Sequence, residues 1–197
     1  MKKYLLIGIA LLYSFVITAQ QTKQTSGVKD HVIVFDFVAD TSDIKQSASL
    51  KTKTGEKYYI VPFAKKTAHE LYNDILVRVA HLYKSHERVA DKVEDRSIVI
   101  NGYGSHITKQ TSGGFRISVS YHLEFNFKDG KIKVYAPCFS SFDEVSMKTG
   151  QEFKNISGTH IWSLAQNNET EVIHQIEEYF NKLITDIVYG NPEDEDW

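Results

Sequence analysis

The sequence predicts a two-layer α+β domain: a curved antiparallel sheet with two helices packed on one face, in the order β-α-β-β-β-β-α after an extra N-terminal strand. Three observations carry that expectation. Residues 115–127 (FRISVSYHLEFNF) alternate strictly, with Phe115, Ile117, Val119, Tyr121, Leu123, Phe125 and Phe127 on one side and Arg116, Ser118, Ser120, His122, Glu124 and Asn126 on the other. That is the pattern of a strand in a sheet covered on one face only. Residues 67–85 and 169–188 repeat apolar side chains at helical spacing and supply the cover. Finally, Asp129-Gly130 between Lys128 and Lys131 predicts a type I′ hairpin, in which both central residues take positive φ.

The remaining elements follow in chain order. HVIVFDFV (31–38) is β-branched and aromatic, hence the N-terminal strand. Residues 39–55 are rich in Ser, Thr and Lys and read as a loop. KYYIVPF (57–63) is a strand that Pro62 confines to a sheet edge or to its own end. Thr67 and Glu70 form a capping box at the start of the first helix, where each side chain satisfies a free backbone N–H. Its apolar stripe is Ala68, Leu71, Tyr72, Ile75, Leu76, Val79, Leu82 and Tyr83, with Asp74 and Arg78 as an i, i+4 pair elsewhere on it. After a charged turn come the strands SIVINGYG (97–104), 115–127 and KIKVYAP (131–137). Residues 138–157 read as irregular and THIWSL (159–164) as a short strand. The last helix is capped by Asn168 with Glu171 and buries Val172, Ile173, Ile176, Phe180, Leu183, Ile184, Ile187 and Val188. An acidic tail (190–197) closes the chain.

The N-terminus points to export. Lys2 and Lys3 precede an uncharged apolar stretch, Tyr4 to Ile17, and Ala19 stands where a signal peptidase needs a small residue. The stretch is shorter than the ~20 residues that span a bilayer. The reading is therefore a cleaved signal peptide (1–19), a polar linker (20–30) and one domain over 31–189, with no membrane span after cleavage. The expected location is the periplasm, the outer membrane or the medium. Loss of Lys2 and Lys3 takes the formal charge from −2 to −4, and no basic stripe offsets it, which argues against a nucleic-acid partner. The single cysteine, Cys138, excludes an intramolecular disulfide and reads as a small buried hydrophobe at a strand end.

No motif assigns chemistry. Gly102-Tyr103-Gly104 is followed by a strand where a phosphate loop needs a helix, so it reads as a turn, and Gly113-Gly114 lacks the Lys-Ser/Thr of a P-loop. The eight histidines show no ligand spacing, and no metal or other cofactor is expected. The domain is read as non-enzymatic.

Three stretches resemble the bacterial family called domain of unknown function 4468: YYIVPFAKKTAHELYNDI (58–75), SIVINGYG (97–104) and YHLEFNFKDGKIKVYA (121–136). With the closing helix the likeness covers about 57–189; the strand at 31–38 and the segment 138–157 depart from it. The resemblance implies a TBP-like fold and an envelope or secreted protein of Bacteroides-like bacteria. It brings no catalytic residues.

The leading expectation is an accessory protein that binds a protein, peptide or glycan of the cell envelope through its open polar face. The candidate ligand-binding residues are Arg116, Ser118, Ser120, His122 and Glu124, joined across the hairpin by Lys133 and Tyr135. Two alternatives stand beside it. One is an envelope hydrolase using His122 and Glu124; the other is an anionic glycan or lipid binder using Lys45, Lys51, Lys53, Lys57, Lys65 and Lys66. Mass spectrometry of the native protein should find its N-terminus at Gln20 or within a few residues of it. An intact Met1 in the envelope fraction would remove the argument for export.

Overall fold

In the computed structural model, the chain is described over residues 33–39, 48–83, 90–109, 114–156 and 170–190. The expected leader and linker, the strand at 159–164, the Asn168 cap and residues 191–197 lie outside the described residues. Among the described residues no helix is long and apolar enough to cross a membrane.

The protein is α+β. Its strands are β1 (Asp36–Ala39), β2 (Ala48–Lys51), β3 (Tyr58–Pro62), β4 (Ala90–Val93), β5 (Ser97–Gly104), β6 (Phe115–Lys128), β7 (Lys131–Tyr135), β8 (Cys138–Ser146) and β9 (Glu152–Ile156). The helices are α1 (Ala68–Leu82) and α2 (Thr170–Tyr189). All described strands join one antiparallel sheet in the order β1-β2-β8-β6-β5-β4, with β7 paired to β6, β3 to β7, and β9 to β8. β3 pairs only with β7, so Pro62 sits on an edge strand, where its missing N–H costs no ladder bond.

The alternation read in β6 decides what is core. Ile117, Val119, Leu123 and Phe125 are fully buried and Tyr121 and Phe127 nearly so; each large side chain contributes about 1.5–3 kcal/mol. Both helices cover this side. Tyr72 of α1 stands edge-on to Phe127 at 5.7 Å, and Phe180 of α2 meets Tyr121 at 5.0 Å. The capping box forms as expected, and its hydrogen bonds from Thr67 hold the Glu70 carboxyl below the usual carboxylate range. Leu82, expected on the buried stripe, is 44% exposed. Asp74 accepts an ion pair from Lys66. Arg78 reaches α2, where its Nη1 donates to the carbonyls of Ile187 and Val188 and so satisfies a helix C-terminus.

Several expectations need correction. The β6–β7 turn is not type I′, since Gly130 alone takes positive φ (76°). Asp129 is held otherwise: its Oδ1 accepts from the Ala68 N–H at 2.8 Å, and the Gly130 N–H donates to the Lys66 carbonyl at 2.7 Å. The loop expected over 39–55 contains β2, whose Leu50 is fully buried. The charged turn after α1 contains β4, an edge strand with only Ala90 buried. The irregular stretch at 138–157 is β8 and β9. A bulge between Ser120 and Tyr121 in the β6–β8 register puts Phe139 and Phe142, three apart, on the same side and hides the two-residue period. The N-terminal strand begins at Asp36, but Ile33 and Phe35 are buried ahead of it. There Asn181 both accepts from the Phe35 N–H and donates to its carbonyl, at 2.8 and 3.0 Å.

Gly102 and Gly104 lie within β5, not in a turn, and packing explains them. Tyr121, the register partner of Gly102, leans across the sheet into the space a side chain would fill. A Cβ on Gly102 would stand 2.3 Å from Tyr121 Cζ, and one on Gly104 would meet Ile107 Cγ2 at 2.7 Å and the Tyr179 hydroxyl at 3.1 Å. Tyr121 hydrogen-bonds the Tyr83 hydroxyl at 2.7 Å. Burial pushes the Tyr83 phenol up to about 12 and raises Tyr121 and Tyr179 as well, so this cluster stays neutral at ordinary pH. Gly102→Ala should cost about 1–3 kcal/mol in a urea melt, the usual penalty for overfilling a packed core. A Tyr121→Leu background should return part of that loss; an unchanged melt of the single variant would mean that the ring is not seated there.

Candidate functional site

The even-numbered residues of β6 face away from both helices, and the sequence candidates divide along it. Arg116 is half-buried and its Nε donates to the Lys109 carbonyl at 3.3 Å. Ser118 is only 1% exposed, and its Oγ accepts from the His106 N–H at 2.9 Å. Its hydroxyl serves the fold, and it lies at the floor of a recess described below. Ser120 is half-buried and His122 exposed, and Glu124 is half-buried with its Oε1 accepting from Asn126 Nδ2 at 2.9 Å. Eight residues of strand separate Arg116 from Glu124, roughly 26 Å at ~3.3 Å each. The seven candidates therefore make a strip, not one pocket.

Three regions lie on this strip. At the N-terminal end of β6 a recess of about 290 Å³ is lined by Tyr103, His106, Asp143, Glu152 and Lys154 among others. Its polar groups largely satisfy one another: Tyr103 donates to Asp143 Oδ2 at 3.2 Å, and Lys154 pairs with Glu152 at 3.3 Å.

In the middle, register aligns Asn101, His122 and Cys138 on β5, β6 and β8. His122 Nδ1 hydrogen-bonds Asn101 Oδ1 at 2.8 Å, and Asn101 Nδ2 donates to Asp91 Oδ2 at 3.3 Å. His122 and Glu124 are thus directed to different partners, and the hydrolytic pair does not assemble. Cys138 is exposed, not buried as its apolar character suggested. The two-residue rule sets it on the polar side, across from His122, because its neighbour Phe139 is in the core. Among the described residues no hydrogen bond joins the thiol to the imidazole.

At the C-terminal end of β6 lies a groove of about 610 Å³ across β3, β7 and β6. Arg96, Asn126, Lys128, Lys131, Lys133 and Tyr135 line it, with Ile60. Two of these, Lys133 and Tyr135, are sequence candidates. The Lys133 ammonium rests over the rings of Tyr58 and Tyr135, 4.1 and 4.5 Å from their centroids. A hydrogen bond that its ammonium donates to the Tyr135 hydroxyl, and then nearby charge including Glu124, raises its pKa, so it stays cationic. Arg96, Asn126, Lys128 and Lys131 were not singled out in the sequence, because the groove assembles from a turn and two strands. The register rows Ile60–Lys133–Asn126 and Pro62–Lys131–Lys128 bring them together.

The other lysine set fares differently. Lys45 lies outside the described residues, Lys66 is paired with Asp74, and the length of β3 separates Lys57 from Lys65. A further cluster was not visible from spacing: His69, Glu94 and Asp95 each bring one possible metal-ligand atom within 4.8 Å of the others. Both imidazole nitrogens are engaged, Nδ1 with Asp95 at 2.7 Å and Nε2 with Asn73 at 2.9 Å, and the group ties α1 to the β4–β5 turn.

No protein-family model matches the chain, and comparisons with curated proteins and with solved structures give no significant match. A thiol reagent should label Cys138 in the native protein at once. Cys138→Ser should move the melting temperature by no more than a few degrees, and a chelator should leave it unchanged. A loss of several kcal/mol on either treatment would reveal a crosslink or a metal on which the fold depends.

Proposed function

We propose that this chain is an exported, non-enzymatic binding protein of the cell envelope or medium that takes its ligand on the uncovered polar face of its sheet. One observation carries the reading. Both helices pack on the odd side of β6, and the even side keeps a groove of about 610 Å³, within the range of small-ligand sites. The signal-peptide pattern of residues 1–19 supports the compartment. We assign the chain to the family of domain of unknown function 4468, with its TBP-like fold. What supports this is that the three resembling stretches are the β3–α1 unit, β5 and the β6–β7 hairpin. A nucleic-acid role does not follow from such a fold name, since fold does not imply function.

The test is a screen of immobilised neutral and charged oligosaccharides and extended peptides against the mature protein and two face variants. His122→Ala and Lys133→Ala should fold as the parent does, and at least one should lose the ligand that the parent retains. Retention of no ligand class, or full retention by both variants, would defeat the reading. Turnover of a substrate that is lost in His122→Ala would make the protein an enzyme.

A further inference from the structure

Three of the four cations of the groove have no acid paired with them among the described residues, and two of them stand where like charges repel. Lys128 and Lys131 stand directly opposite each other in the ladder, where like charges repel. Lys133 follows two residues on, and Arg96 is fixed beside them because its carbonyl accepts from the Phe127 N–H at 2.9 Å. Two acids adjacent in sequence are committed elsewhere. Asp129, between the two lysines, caps the Ala68 N–H, and Asp95, next to Arg96, pairs with His69. Among the described residues Arg96, Lys128 and Lys131 have no ion-pair partner. Glu124 is the one carboxylate that bears on Lys133, and it accepts a hydrogen bond from Asn126. This concentration stands in a chain of formal charge −2, so net charge does not account for it.

From this we infer that the groove seats an anionic saccharide, one that bears a carboxylate, sulfate or phosphate group; the inference rests on the binding-protein reading above. Charge complementarity sets the anion, with Arg96 able to grip it in bidentate fashion and the lysines acting as point charges. The half-buried Asn126 amide and Tyr135 hydroxyl suit sugar hydroxyls. Ile60, 55% exposed and in register with Lys133, offers an apolar patch to the C–H face of a sugar ring. The concave, bounded volume suits a few sugar units better than a flat membrane surface.

The experiment is titration calorimetry on the mature protein with a sulfated tetrasaccharide, its unsulfated counterpart, inorganic phosphate and vesicles of anionic phospholipid. The sulfated compound should bind, weaken about tenfold or more as salt rises from dilute to several hundred millimolar, and outbind the unsulfated one by at least about tenfold. Lys128→Glu with Lys131→Glu should abolish its binding, the milder Lys131→Gln should weaken it, and Lys53→Glu should leave it unchanged. A melting curve for each variant separates lost binding from lost folding. Equal binding of the unsulfated compound, preference for vesicles, binding of phosphate alone with equal affinity, or retention by the folded double variant would overturn the inference. If a neutral ligand is held through His122, the polar face remains a binding surface and only the anionic assignment falls. If the face holds nothing, both fall.

Discussion

The alternation of β6 is the constraint on which the rest of the structure depends. Its odd residues meet both helices and its neighbouring strands, so their burial fixes where every even residue points. Slipping the register by one residue would bring Arg116, His122 and Glu124 under the helices and expose Ile117, Val119 and Leu123 to water. Apart from Ser118, which holds the His106 N–H, the polar strip owes its direction to that burial alone. This frees its side chains to be chosen for something other than folding. Tyr121 shows how tightly the other side is filled: one side chain meets Tyr83 at the C-cap of α1, Phe180 of α2 and the bare backbone of Gly102.

Where the sequence was legible, a single local rule dominated. The period of β6, the capping box of α1 and the apolar stripe of α2 are each short-range patterns, and each formed. The failures have equally specific causes. β8 carries a bulge that breaks its period, and β4 and β2 are short strands that owe their form to a paired neighbour. Asp129-Gly130 satisfied the composition of one turn type but adopted another. Its carboxylate had a helix N-terminus to serve, a long-range demand that no local pattern records. Gly102 and Gly104 were read as chain-bending residues, whereas their role is to make room.

The candidate site was legible only in part, for the same reason. Lys133 and Tyr135 could be found because they alternate on one strand. Arg96, Lys128 and Lys131 could not, because their convergence depends on strand register and on the position of a turn. Ser118 had the right direction and the wrong accessibility, since the His106 backbone occupies its hydroxyl. Direction is a property of the strand, but exposure is a property of whatever lies above it.

The Asp129 cap ties together structures that stand on the two faces of the sheet. The turn that carries Lys128 and Lys131 toward the groove also supplies the acceptor for the first helical N–H of α1, on the opposite side of the sheet. The same turn is bonded in both directions to the 63–66 backbone, through Phe63 to Gly130 and Gly130 to Lys66. A substitution at the hairpin tip would therefore bear on the start of α1 as well as on the groove. The tip is a rivet through the sheet, with one head in the groove and the other at the start of α1.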